Sequence, residues 1–156
     1  MRVLVCDDDV DVGNFLNTLF GLEGWSSDLV TSGEACLAHL DAAEAPDVLV
    51  LDQVMPGMVG TAVADKLRSS GFEVPIILCS GHLGPELNAD VERLGLIPVS
   101  KIDLAALVRI VQEAVRTAPK PRKAARKAPA GKPAKKAAAR KAPGKRAPLG
   151  RTAPPK

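Results

Sequence analysis

Three short runs, Val3-Leu4-Val5-Cys6, Asp47-Val48-Leu49-Val50-Leu51 and Pro75-Ile76-Ile77-Leu78-Cys79, are almost wholly apolar. A strand with one face in water alternates apolar and polar residues, whereas a strand covered on both faces does not, so these runs point to a parallel sheet with helices on either side. Ser26-Ser27-Asp28-Leu29-Val30 and Leu96-Ile97-Pro98-Val99-Ser100 are weaker strand candidates, which makes five. Between them apolar residues recur at spacings of three and four: Val12, Phe15, Leu16, Leu19 and Phe20; Leu37 and Leu40; Val63 and Leu67; Leu87, Val91 and Leu94; Leu104, Leu107, Val108, Val111 and Val115. Such spacing puts each set on one face of a helix. Thr31-Ser32-Gly33-Glu34 has the form of a capping box, and Thr61 and Asp103 are candidate N-caps for the third and fifth helices. Strand alternating with helix five times predicts an α/β protein of (βα)5 type, a doubly wound parallel five-stranded sheet.

The charge is divided between two segments. Residues 118–156 hold fourteen Lys and Arg and no Asp or Glu, while residues 1–117 hold seven basic and all eighteen acidic residues, a net of −11. This predicts an acidic domain over 1–117 joined to a basic tail over 118–156. Eight prolines interrupt the Ala- and Lys-rich tail, and little beyond alanine is apolar, so it is expected to be disordered. A front part of 117 residues is large enough for one core without staples. Cys6, Cys36 and Cys79 are odd in number and widely spaced, which suggests reduced core thiols rather than disulfides or a zinc site. No apolar stretch approaches the length of a membrane span, and the expected location is the cytoplasm.

In an open α/β sheet the loops leaving the carboxyl ends of the strands converge on one crevice. On that map Asp7, Asp8 and Asp9 follow the first strand, Asp52 ends the third, Ser80 the fourth and Lys101 the fifth. Carboxylates gathered this closely need a cation to remain ionised together. Mg²⁺ is suited to the task, since it takes oxygen ligands and completes its shell with water and phosphate oxygens. Asp52 could then attack phosphorus as a nucleophile and form an acyl phosphate, with Lys101 and the Ser80 hydroxyl holding the other phosphoryl oxygens.

The blocks Arg2-Val3-Leu4-Val5-Cys6-Asp7-Asp8-Asp9, Leu51-Asp52-Gln53-Val54-Met55-Pro56-Gly57-Met58, Cys79-Ser80-Gly81 and Ser100-Lys101 stand in the order of the signature blocks of bacterial response-regulator receiver domains, including their chemotaxis-regulator-like members. The resemblance runs from about Met1 to about Arg116. It implies a flavodoxin-like fold and a phosphoacceptor, not an enzyme acting on a separate substrate. Asp52 would be the acceptor, Asp8, Asp52 and the Val54 carbonyl direct Mg²⁺ ligands, and Asp7 a ligand largely through water. It also implies a donor, either a sensor histidine kinase or a phosphotransfer protein. Val54 and His82 fall at the two positions that tune how long the phosphoryl group survives in that family.

The chain departs from the family at its fifth strand. Lys101-Ile102-Asp103 lacks the proline and aromatic that usually follow this lysine, and the fifth-strand switch aromatic of the family, whose position falls near Pro98, is absent. The tail resembles the Lys-Ala-Pro tails of linker histones and some nucleoid proteins, which implies non-specific binding to DNA or another polyanion through phosphate contacts. A competing reading is a nucleoid-type DNA-binding protein in which the receiver fold serves as scaffold or regulator. His39 and Trp25 are read as structural.

Overall fold

The computed structural model describes residues 1–81 and 84–118, the side chains of residues 104 and 105 excepted. The tail read over 118–156, apart from Ala118, lies outside the described residues, as does His82. Five strands, β1 (Arg2–Cys6), β2 (Ser26–Val30), β3 (Val48–Asp52), β4 (Ile76–Ser80) and β5 (Leu96–Ser100), alternate with helices α1 (Val10–Leu22), α2 (Gly33–Ala42), α3 (Gly60–Ser69), α4 (Asn88–Leu94) and α5 (Leu104–Thr117). A single 3₁₀ turn over Pro85–Leu87 leads into α4, so Leu87 precedes the helix expected to contain it. All pairings are parallel, in the order β2-β1-β3-β4-β5. The predicted doubly wound (βα)5, flavodoxin-like sheet is the fold.

The apolar runs bury both faces by strict alternation. Leu4, Cys6, Leu49, Leu51, Ile76 and Leu78 pack with Cys36, Val63, Ala64, Leu67 and Leu94, so α2, α3 and α4 cover one side. Val3, Val5, Val48, Val50, Ile77, Cys79 and Val99 pack with Leu16, Phe20, Leu107, Val111 and Ala114, so α1 and α5 cover the other. Trp25, just before β2, stacks on Phe20 with ring centroids 5.6 Å apart, in the packing role expected of it. All three cysteines are free and buried.

Helix ends correct two local expectations. The capping box read at Thr31–Glu34 does not form: Ser32 rather than Thr31 is the N-cap, accepting the Ala35 N–H at 3.1 Å, and the residue three positions on is then Ala35, which has no side-chain acceptor to return the bond. Thr61 is not a cap. The helix starts at Gly60 with Val59 as N-cap and no side-chain cap bond, which leaves Thr61 buried inside the first turn. Asp103 caps α5 as expected, accepting from Ala106 N–H at 3.1 Å.

At the sheet edge, Lys101 N–H donates to the Ser80 carbonyl at 3.0 Å. Bonding in a parallel ladder alternates every two residues, so the Pro98 nitrogen faces the free edge, where no donor is needed. Pro98 is exposed and blunts that edge against strand addition.

Candidate acidic phosphoacceptor site

The residues singled out from the sequence meet where the carboxyl ends of β1, β3, β4 and β5 come together. Asp52 is the last residue of β3 and Ser80 the last of β4, while Asp7 directly follows β1. Each is nearly inaccessible, at 4%, 1% and 2% relative exposure. Asp8 is exposed. Asp7, Asp8 and Asp52 each offer a carboxylate oxygen, and these lie within 4.8 Å of one another. Lys101, which directly follows β5, reaches over them: its Nζ is 2.8 Å from Asp7 Oδ2 and 3.1 Å from Asp52 Oδ1. The Lys101 backbone bond to Ser80 holds the ends of β4 and β5 in step.

Three neighbouring acids that look equivalent in the sequence have three different surroundings. Asp9 turns away to cap α1, accepting from Asp11 N–H at 3.0 Å and Val12 N–H at 3.2 Å. Asp7 is buried, and its Oδ1 accepts the Asp9 N–H at 3.0 Å. Asp8 remains at the open mouth. Val54 is strongly exposed, and its backbone N–H favours the charged form of the Asp52 carboxylate.

Burial pushes the Asp52 carboxyl above its ordinary value and Asp7 adds to this, with Lys101 and the Val54 N–H pulling the other way. Burial favours the neutral amine of Lys101, but the Asp7 and Asp52 carboxylates together outweigh it and push the ammonium up. Cys6, beneath the site, is pushed up by contact with Cys36 and by burial, and burial pushes Cys79 up to about 12. These two thiols stay protonated at neutral pH, so the charged groups of the crevice are its oxygens and one ammonium.

This donor set fits Mg²⁺. It consists of oxygens only, and three carboxylates against one ammonium leave two formal negative charges for a divalent ion to balance. Asp7, Asp8 and Asp52 would hold it.

Gln53 was not singled out from the sequence. Its side chain accepts from Thr61 N–H at 3.0 Å, a reach of eight residues that no spacing rule anticipates. His39 lies on α2 with Nε2 3.7 Å from Asp28 Oδ2, remote in the fold from β3's carboxyl end.

Comparison with known proteins agrees with this geometry. The response regulator receiver domain family matches residues 3–98. The chain is 32% identical over 117 residues to the regulatory protein AtoC of Escherichia coli, covering 74% of this chain and 25% of AtoC. It is 36% identical over 118 residues to the sensory transduction protein RegX3 of Mycobacterium tuberculosis, covering 70% of this chain and 49% of RegX3. The chain thus spans a quarter to a half of these relatives. Among solved structures, a Francisella response regulator receiver domain superposes with a TM-score of 0.69 at 25% identity, covering 74% of this chain and 96% of that one. The response regulator TrrA of Thermotoga maritima, solved in complex with Mg²⁺ and BeF, superposes at 0.64 with 26% identity, covering 72% and 97%. Matched over most of its acidic segment, with the fold and the acid cluster of that family, this chain belongs to the response regulator receiver domains of two-component systems.

Proposed function

We propose that Asp52 accepts a phosphoryl group in a Mg²⁺-dependent reaction, and that the donor is a sensor histidine kinase or phosphotransfer protein. The observation that carries this reading is the Lys101 ammonium bridging Asp7 and Asp52 beside Asp8, in a crevice formed by the ends of separate strands. An Asp52 carboxylate oxygen attacks phosphorus, a new P–O bond forms, and the donor's P–N bond breaks with its electron pair returning to the imidazole. The chemistry a bound Mg²⁺ supplies is positive charge between an anionic acceptor and an anionic phosphoryl group. Asp7, Asp8, Asp52 and the Val54 carbonyl are its ligands in this reading. Lys101 and the Ser80 hydroxyl hold the remaining phosphoryl oxygens, and the protein promotes its own phosphorylation and dephosphorylation. Incubation with acetyl phosphate and Mg²⁺ is expected to give an acid-labile adduct of one phosphoryl group, absent in Asp52→Asn. An unchanged adduct in that variant would refute the assignment.

A second property rests on the fourteen cations and no anion of residues 118–156. In this reading the segment binds DNA or a similar polyanion through phosphates, without sequence preference. If ~6–10 phosphates are neutralised, affinity falls by roughly 10³–10⁵ between 50 and 200 mM salt. Replacing the fourteen side chains with glutamine should abolish retention of a DNA duplex, whereas Asp52→Asn should retain it. Equal binding by the glutamine variant across the salt titration would exclude the tail.

A further inference from the structure

The connection from β3 to α3 is fastened at both ends by Gln53. Its N–H donates to the Cys79 carbonyl at 2.9 Å, continuing the sheet, and its carbonyl accepts the Gly60 N–H at 3.0 Å. Its side chain makes a second tie to the same helix turn, with Oε1 accepting from Thr61 N–H at 3.0 Å and Nε2 donating to Thr61 Oγ1 at 3.4 Å. The helix needs that acceptor, since first-turn N–H groups have no intrahelical partner and Val59 supplies none. Gly60 leaves no slack: a Cβ there would lie 2.3 Å from the Asp52 carbonyl oxygen. Inside the closed loop Met55 is buried, its Sδ 3.6 Å from Cys6 Sγ, and Val54 stands two residues from Asp52, its backbone N–H favouring that carboxylate's charged form.

We propose that Gln53 is a positioning residue for Asp52: its side-chain amide locks the β3–α3 connection to the first turn of α3, keeps the Val54 backbone beside the Asp52 carboxylate, and so sets both divalent-cation affinity and phosphoryl-transfer rate. The rate half of this statement rests on Asp52 being the phosphoacceptor, and the cation half does not. Val54, one residue from Gln53, has only backbone to offer the site, so its orientation depends on how the loop is held.

Gln53→Met keeps the length of the side chain and removes its hydrogen bonds. In the full chain it is expected to weaken Mg²⁺ binding, measured by calorimetry with the metal alone, by ~10-fold, and to slow acetyl phosphate labelling at saturating Mg²⁺ by ~10-fold. The Val54 amide NMR signal should move. Loss of the cap should also lower the melting temperature by ~4–8 °C. Adding Val59→Asp supplies a local cap without tying Gln53's end of the loop to α3. The double variant is expected to regain the melting temperature and to keep the weakened cation affinity and slow labelling. Recovery of all three would mean that Gln53 only caps the helix, and that result overturns the proposal, as does wild-type Mg²⁺ affinity in Gln53→Met. Gln53→Asn, which keeps the amide but is one methylene too short, provides the same comparison if the Met variant does not fold. If the wild type forms no adduct on Asp52, the phosphoacceptor reading fails and the Mg²⁺ titration alone decides the role of Gln53.

Discussion

Lys101→Met is expected to melt far below the wild type in EDTA, losing about 3–5 kcal/mol, because it strips the cation from two buried carboxylates. The Lys101 Nζ contacts Asp7 and Asp52, whose side chains are 3% and 4% exposed, and among the described residues no other cation is paired with either of them. The deficit should depend on pH. Asp52 already sits above its ordinary value in the wild type because of burial, and removing Lys101 takes away its main opposing influence. A carboxyl raised in the folded state binds more protons there than in the unfolded chain, so its contribution to stability falls as pH rises from the ordinary carboxyl range through the folded value. The melting deficit should accordingly be smaller at pH 5 than at pH 8. Mg²⁺ should rescue the variant more than it stabilises the wild type, since the ammonium and the metal compete for the same oxygens. A tenfold tighter Mg²⁺ affinity corresponds to ~1.4 kcal/mol of that rescue. Equal melting temperatures in EDTA, or equal gains on adding Mg²⁺, would show that Lys101 does not neutralise the cluster.

The sheet was legible because its central strands are buried on both faces and carry the apolar runs, β1, β3 and β4. The edge strands β2 and β5 are only partly covered, which is why their sequences read as weaker strands. Asp52 and Ser80 each directly follow the apolar run of their strand, which is why the sequence already places them at the carboxyl ends of β3 and β4. The topology brings these ends together, so the membership of the crevice could be inferred from strand order alone. Its internal pairing could not. Nothing in the spacing says that Lys101 bridges Asp7 and Asp52, or that Asp9, next to Asp8, has its carboxylate spent on the first turn of α1. Thr61 had the chemistry of an N-cap, and the helix instead takes its acceptor from Gln53, a contact that exists only once β3 and α3 are packed. Long-range side-chain bonds of this kind leave no period in the sequence.

Asp52→Asn is expected to have the opposite effect to Lys101→Met on the metal-free fold, and the reason is a count of buried charge. The wild-type cluster places one ammonium against Asp7 and Asp52, one charge short of balance before the exposed Asp8 is counted. Removing Lys101 widens that imbalance, whereas removing the charge on Asp52 leaves Lys101 paired with Asp7 alone. In EDTA at neutral pH, Asp52→Asn should therefore be more stable than the wild type by about 1–2 kcal/mol, a rise of roughly 5 °C or more in melting temperature. As pH falls through the raised Asp52 value the wild-type carboxyl takes up a proton, and the difference should shrink. Mg²⁺ should reverse the order: at a hundred times its dissociation constant a ligand adds ~2.7 kcal/mol to the form that binds it, and the amide variant has lost one anionic ligand. A variant less stable than the wild type in EDTA would mean that attraction to Lys101 outweighs the cost of burying Asp52. The wild-type site would then be stable without a metal, and its charge deficit would not call for Mg²⁺.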